Sequence, residues 1–111
     1  KMVEVVRANI TVNQFRAKEE GSLGKVVKFV DWTYAWTHSD YPGASVLSSF
    51  LTSMSEANAD SFIAFDNLTN DNLIDWALSV DSATLDKIES HAMAQLPHEY
   101  ALSQTSVYHI G

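Results

Sequence analysis

Val30-Asp31-Trp32-Thr33-Tyr34-Ala35-Trp36-Thr37 alternates large apolar side chains with small or polar ones. Val30, Trp32, Tyr34 and Trp36 fall on one side of an extended chain, and Asp31, Thr33, Ala35 and Thr37 on the other. A period of two is the signature of a strand with one buried face, and aromatic and β-branched residues suit a pleated surface. The strand is read from Lys25 to Thr37. Upstream, Val6, Ala8, Ile10 and Val12 alternate with Arg7, Asn9, Thr11 and Asn13, which predicts a partner strand over 6–13. Val3 and Val5 lie on the opposite phase, as at a bulge or in a strand buried on both faces. Gln14 to Gly24 is polar, charged and holds two glycines, so it reads as a long hairpin loop.

Downstream, Tyr41-Pro42-Gly43-Ala44 places Pro and Gly at the two central positions of a type II turn. Ser45 to Met54 fits two periods, since Leu47, Phe50, Leu51 and Met54 also follow helical spacing. Its five Ser and Thr residues and the preceding turn favour a strand. A polar stretch, 55–61, and a short apolar piece, Phe62-Ile63-Ala64-Phe65, lead into the helical half. Thr69 is placed to cap a helix, with Leu68 and Leu73 as the two halves of a hydrophobic staple. The same spacing recurs at Val80, Asp81 and Leu85, with Asp81 as a second cap. Two helices are therefore expected, over about 70–79 and 82–96. Leu85, Ile88, Ala92 and Leu96 form the buried stripe of the second, and Pro97 ends it. His98 to Gly111 reads as an extended tail.

The expected architecture is α+β in a single domain over 1–111. β-hairpins over 1–54 form a small antiparallel sheet, two helices over 62–96 cover one face, and the tail occupies 98–111. A length of 111 residues, 46% hydrophobic and 19% charged, fits one folded core and excludes a disordered acidic tail. The absence of Cys excludes thiol catalysis, thiolate metal sites and a disulfide scaffold. No apolar run reaches the roughly 20 residues of a membrane span, and Lys1 to Val5 lacks the apolar stretch of a signal peptide. The net charge is −7, unevenly spread. Residues 1–28 carry six basic and three acidic side chains; residues 29–111 carry eleven acidic ones against Lys87. A phosphate-backbone binder needs a concentrated positive field, so no direct nucleic-acid contact is expected.

Motifs for chemistry fail on inspection. His98-Glu99-Tyr100-Ala101-Leu102 opens like a zinc-protease helix, but Leu102 stands where the second His is needed. Asp66 to Asn72 resembles a calcium loop, yet Leu68 occupies a ligand position and no Gly serves the sharp turn. Asp71 and Asp75 share a helical face, a spacing commoner in solvated surfaces than in acid–base pairs. No catalytic residue, metal or cofactor is expected, nor a small-molecule substrate or a membrane.

Asp31-Trp32-Thr33, the run Phe62 to Thr69 and the Trp-bearing segment Leu73-Ile74-Asp75-Trp76 occur in an order that resembles small proteins of tailed bacteriophages. In that family a Phe-x-x-Phe-acidic-x-Leu-Thr element opens the helical half. The likeness extends loosely over 26–96 and more closely over 62–76. It carries no catalytic residue. It implies a protein made in the bacterial host cytoplasm and located in the virion, as a head-decoration or neck/tail component. The alternative is a non-virion phage protein that binds a host regulator through its acidic surface. The expected partners are other virion subunits or copies of the chain itself. The expected contact residues are Tyr100, Val107, Tyr108 and Ile110 of the tail, with Arg16 and Lys18 of the basic hairpin. Two fates are open to the tail: docking on a neighbour, or folding back as an extra strand of its own sheet.

Overall fold

The computed structural model describes residues 4–54 and 64–111. Three strands form an antiparallel meander in the order β1 (Ile10–Glu19), β2 (Lys25–Trp36) and β3 (Val46–Ser53). Among the described residues a single α-helix, α1 (Asn70–Ser103), covers one face of the sheet. The architecture is thus α+β as expected, with one long helix in place of two.

The aromatic row of β2 is the centre of the core. Val30, Trp32, Tyr34 and Trp36 are all buried, and Leu73, Ile74, Ala77, Leu85 and Ala92 of α1 pack in the same cluster. Trp32 stacks on Phe50 of β3 at 4.5 Å between ring centroids, and Tyr34 meets Trp36 edge-on at 4.8 Å. Buried indole N–H groups need acceptors. Ser48 supplies one to Trp36 at 2.9 Å, and Thr52 one to Trp32 at 2.7 Å. The Tyr41–Ala44 turn forms as read: the Ala44 N–H bonds the Tyr41 carbonyl at 3.2 Å, and Gly43 takes the positive φ of +80° that a type II turn requires.

The first strand differs from its expected span. Residues 7–9 form a 3-10 turn, Val6 and Ala8 are exposed, and β1 starts at Ile10. It then continues through the segment read as a loop, as far as Glu19, leaving a short connection to Lys25. The cause is a bulge at Asn13. Val12 pairs with Trp32, but Gln14 pairs with Asp31, so the inward phase passes from Val12 to Phe15. Phe15 then stands opposite Val30 and contacts the Phe65 ring. A second irregularity between Arg16 and Ala17 brings Ala17 opposite Val27. One extra residue breaks a period-two pattern, which hides the strand's second half.

The start of the helix is as expected. The Thr69 side chain accepts the Asn72 N–H at 3.2 Å, and the Asn72 side chain accepts the Thr69 N–H at 2.9 Å, a reciprocal capping box. Leu68 and Leu73 both pack on the core. The interruption at residues 79–81 does not occur. Asp81 lies within α1, where its carboxylate accepts the Thr52 hydroxyl and stands 3.4 Å from the Thr84 hydroxyl. In sequence Asp81 has the look of a cap, because its partner Thr52 is far away on β3. Pro97 likewise lies within α1 and is exposed. Lacking an N–H, it leaves the carbonyl four residues earlier without its helical donor. Buried Leu96 and Ala92 hold the helix against the domain there. Residues 98–103, expected to be extended, are its last turns. The polar stretch 55–61 and Phe62-Ile63 lie outside the described residues.

Because Pro97 is exposed and costs the helix a bond without filling the core, Pro97→Ala should stabilise the domain, by up to about 3 kcal/mol. Chemical denaturation of the two proteins checks this: the midpoint rises at unchanged slope.

Candidate protein-docking surfaces

The tail leaves the domain at the end of α1. Tyr100 is half-buried, its ring 5.9 Å from that of Tyr41 in the β2–β3 connection. The Gln104 and Thr105 N–H groups bond the carbonyls of Ala101 and Leu102, at 3.2 and 3.1 Å, and close the helix. From Ser106 onward the chain is exposed and pairs with no strand of the sheet. Val107 is 82% exposed, Tyr108 88% and Ile110 fully. Three large apolar side chains on a short segment in water are a feature that contact with another surface would relieve.

Arg16 and Lys18 project from β1, both exposed. Arg7, Lys25 and Lys28 of this half are engaged. Arg7 bonds Asp75 at 2.7 Å and Asp71 at 3.3 Å, joining the 3-10 turn to the first turns of α1. Its hydrogen bonds to the Asp75 carboxylate and then to that of Asp71 raise the Arg7 pKa above its ordinary value. Asp71 and Asp75 therefore form an exposed clamp for this arginine, a role invisible from their helical spacing alone. Lys28 pairs with Glu20, and its hydrogen bond holds the Glu20 carboxyl below the usual range. The Lys25 ammonium sits 5.1 Å from the centre of the Phe65 ring. Arg16 and Lys18 form no ion pair among the described residues.

The expected contact residues are not all brought together. Arg16 pairs with Phe29, seven residues along β2 from Trp36, which is about 23 Å of strand. Tyr100 and the start of the tail lie beyond Trp36, at the β2–β3 connection. The basic pair and the apolar tail are thus separate surfaces.

Sequence reading missed a third surface. Helix α1 covers only one face of the sheet. The other presents Phe29, Leu47 and Leu51 around a polar row in which the Asn13 amide donates to Thr33 at 2.9 Å and Asp31 at 3.3 Å. Leu47 and Leu51 are 67% and 64% exposed. A shallow hollow here is lined by Gln14, Arg16, Asp31, Ser49, Phe50 and Leu51. The signal was present as Leu47 and Leu51 on the phase opposite Phe50. Among the described residues, no group of three His, Cys, Asp or Glu side chains is close enough to hold a metal ion, and no helix is long and apolar enough to cross a membrane.

Since 106–111 are exposed and pair with no strand among the described residues, their removal should leave the unfolding free energy within about 0.5 kcal/mol of the full chain. A large loss on thermal or chemical unfolding would mean that the tail supports its own sheet.

No curated protein and no solved structure matches the chain. A family model does: residues 6–108, from before β1 into the exposed tail, match one described as a domain of unknown function, DUF7936. With nearly its whole length matched, the chain belongs to the DUF7936 family.

Proposed function

We propose that the chain is a structural or accessory protein of a tailed-phage particle, a head-decoration or neck/tail component, acting through contacts with other proteins. The observation that carries the protein-contact reading is the exposed apolar tail, with Val107, Tyr108 and Ile110 in water beyond the end of α1. Burying such side chains is favourable at roughly 1.5–3 kcal/mol each, and an extended segment docks readily by adding main-chain bonds to a sheet edge. Tyr100, half-buried at the root of the tail, anchors the exit of the chain. Arg16 and Lys18 provide a separate positive patch on an otherwise acidic protein, suited to orienting an acidic partner and speeding encounter.

The phage setting comes from the resemblance carried by Asp31-Trp32-Thr33, Phe62 to Thr69 and Leu73 to Trp76. The partners in this reading are virion subunits or further copies of the chain, with no nucleic acid, membrane, cofactor or small-molecule substrate. The acidic surface of residues 29–111 supports the second reading, a non-virion phage protein bound to a basic site on a host regulator.

Purified particles test the choice. Quantitative mass spectrometry should find the full chain at a fixed ratio to the major subunits, and a chain lacking 106–111 should be lost from particles while remaining folded in the lysate. Recovery of the full chain only in the soluble fraction, bound to host protein, would favour the regulator reading instead.

A further inference from the structure

The two outer edges of the sheet are unlike each other. β1 carries Arg16, Lys18 and Glu19 and is broken by irregularities at two places. Charges and bulges of this kind prevent edge-to-edge pairing. β3 has neither. Its eight residues, Val46-Leu47-Ser48-Ser49-Phe50-Leu51-Thr52-Ser53, contain no charge, no Pro and no Gly. They pair with β2 in unbroken register from Trp36↔Val46 to Phe29↔Ser53. Among the described residues, no segment pairs with the outer side of β3. A long, regular, uncharged edge is a template for another strand.

The hydrogen-bond phase says which residues are available. The Met54 N–H bonds the Lys28 carbonyl at 2.9 Å, so the even-numbered residues of β3 direct their main-chain groups towards β2. Leu47, Ser49, Leu51 and Ser53 therefore point theirs outward. The same four residues carry their side chains on the sheet face that α1 leaves open.

We infer that β3 pairs with β3 of a second copy, antiparallel about a twofold axis at Ser49, to make a continuous six-stranded sheet. In this register Ser49 faces Ser49, and Leu47 faces Leu51 of the other copy. Each facing pair has outward main-chain groups on both sides, giving a ladder of about six N–H···O bonds. The four leucines, each mostly exposed in one copy, gather in a single cluster on the open face. Shifting the register by two residues in either direction sets both Leu47 and Leu51 against serines, and the twofold at Ser49 is the register in which both leucines face leucines. The self-match is also electrostatic. Two chains of net charge −7 repel, and β3 is where they can meet without opposing like charges. Both α1 helices then lie on the same side of the joined sheet. The inference uses an edge distant in character from the tail and does not depend on the phage setting.

The chain has no cysteine, so single cysteines can report the register. Ser49→Cys should cross-link to itself under mild oxidation, because facing residues in a hydrogen-bonded pair have Cα atoms about 5.5 Å apart. Ser53→Cys should stay uncross-linked, since the two copies of residue 53 lie about 26 Å apart along the ladder. Sedimentation should show a dimer for the full chain at micromolar concentration. The Leu47→Lys, Leu51→Lys double variant, which opposes lysines across the axis, should be monomeric and folded by circular dichroism. Leu47→Lys with Leu51→Glu, which opposes Lys and Glu, should restore the dimer. A full chain that sediments as a monomer overturns the inference. So do equal cross-linking at 49 and 53, and a dimer that disappears when 106–111 are deleted.

Discussion

Trp32 has no contact with water, and that single fact constrains the rest of the domain. An indole N–H can only donate, and leaving it unbonded in the core costs about 1–3 kcal/mol. Thr52 accepts it from β3. The threonine hydroxyl, itself buried, then has to donate onward, and its acceptor is the Asp81 carboxylate on α1. Indole, hydroxyl and carboxylate form a chain whose direction is fixed by chemistry: one group only donates, one does both, one only accepts. It ties β2, β3 and α1 together at one point. Ala77, Asp81 and Leu85 lie at four-residue spacing on one helical stripe, so the bond at Asp81 also sets which apolar residues face the sheet. No buried side-chain polar atom among the described residues is left without a partner.

This arrangement spends the helix on one face of the sheet. The aromatic row of β2 is sealed, while Phe29, Leu47 and Leu51 on the other face stay accessible to solvent. Some of the charges are used locally. Arg7 fastens the segment before β1 to the start of α1, and Lys28 and Glu20 pair beside the β1–β2 connection. Beside the charged surface, three largely apolar or uncharged features are left uncovered: the tail beyond α1, the leucines of the open face and the β3 edge. A two-layer domain with its second face exposed is well placed to be completed by other protein surfaces.

The sheet was legible where the period of two ran unbroken. Val30 to Trp36 announced β2, and the Pro42-Gly43 turn announced β3. The start of α1 was legible because a cap is local: Thr69, Asn72, Leu68 and Leu73 are all within one turn. The misses share a cause, a partner far away in sequence. The bulge at Asn13 makes sense only against Trp32 and Asp31. Asp81 looks like a cap until Thr52 is placed beside it, and Pro97 looks like a terminator until Leu96 and Ala92 are seen to be buried. Of the proposed contact residues, Val107, Tyr108 and Ile110 were identifiable as apolar side chains without a helical or core pattern. The outward phase of β3 was not, because the direction of a main-chain group depends on which neighbour its strand already has.

The claim that the Trp32–Thr52–Asp81 chain registers the helix on the sheet is tested most directly by a double-mutant cycle. Unfolding free energies of the parent chain, Thr52→Val, Asp81→Ala and the double variant give the coupling between the hydroxyl and the carboxylate. A hydrogen bond to a charged group that organises the fold should couple at about 1.5–3 kcal/mol, with each single change costing nearly as much as both together. Costs that simply add, with a coupling below about 0.5 kcal/mol, would show that apolar packing alone positions α1 and would contradict the account.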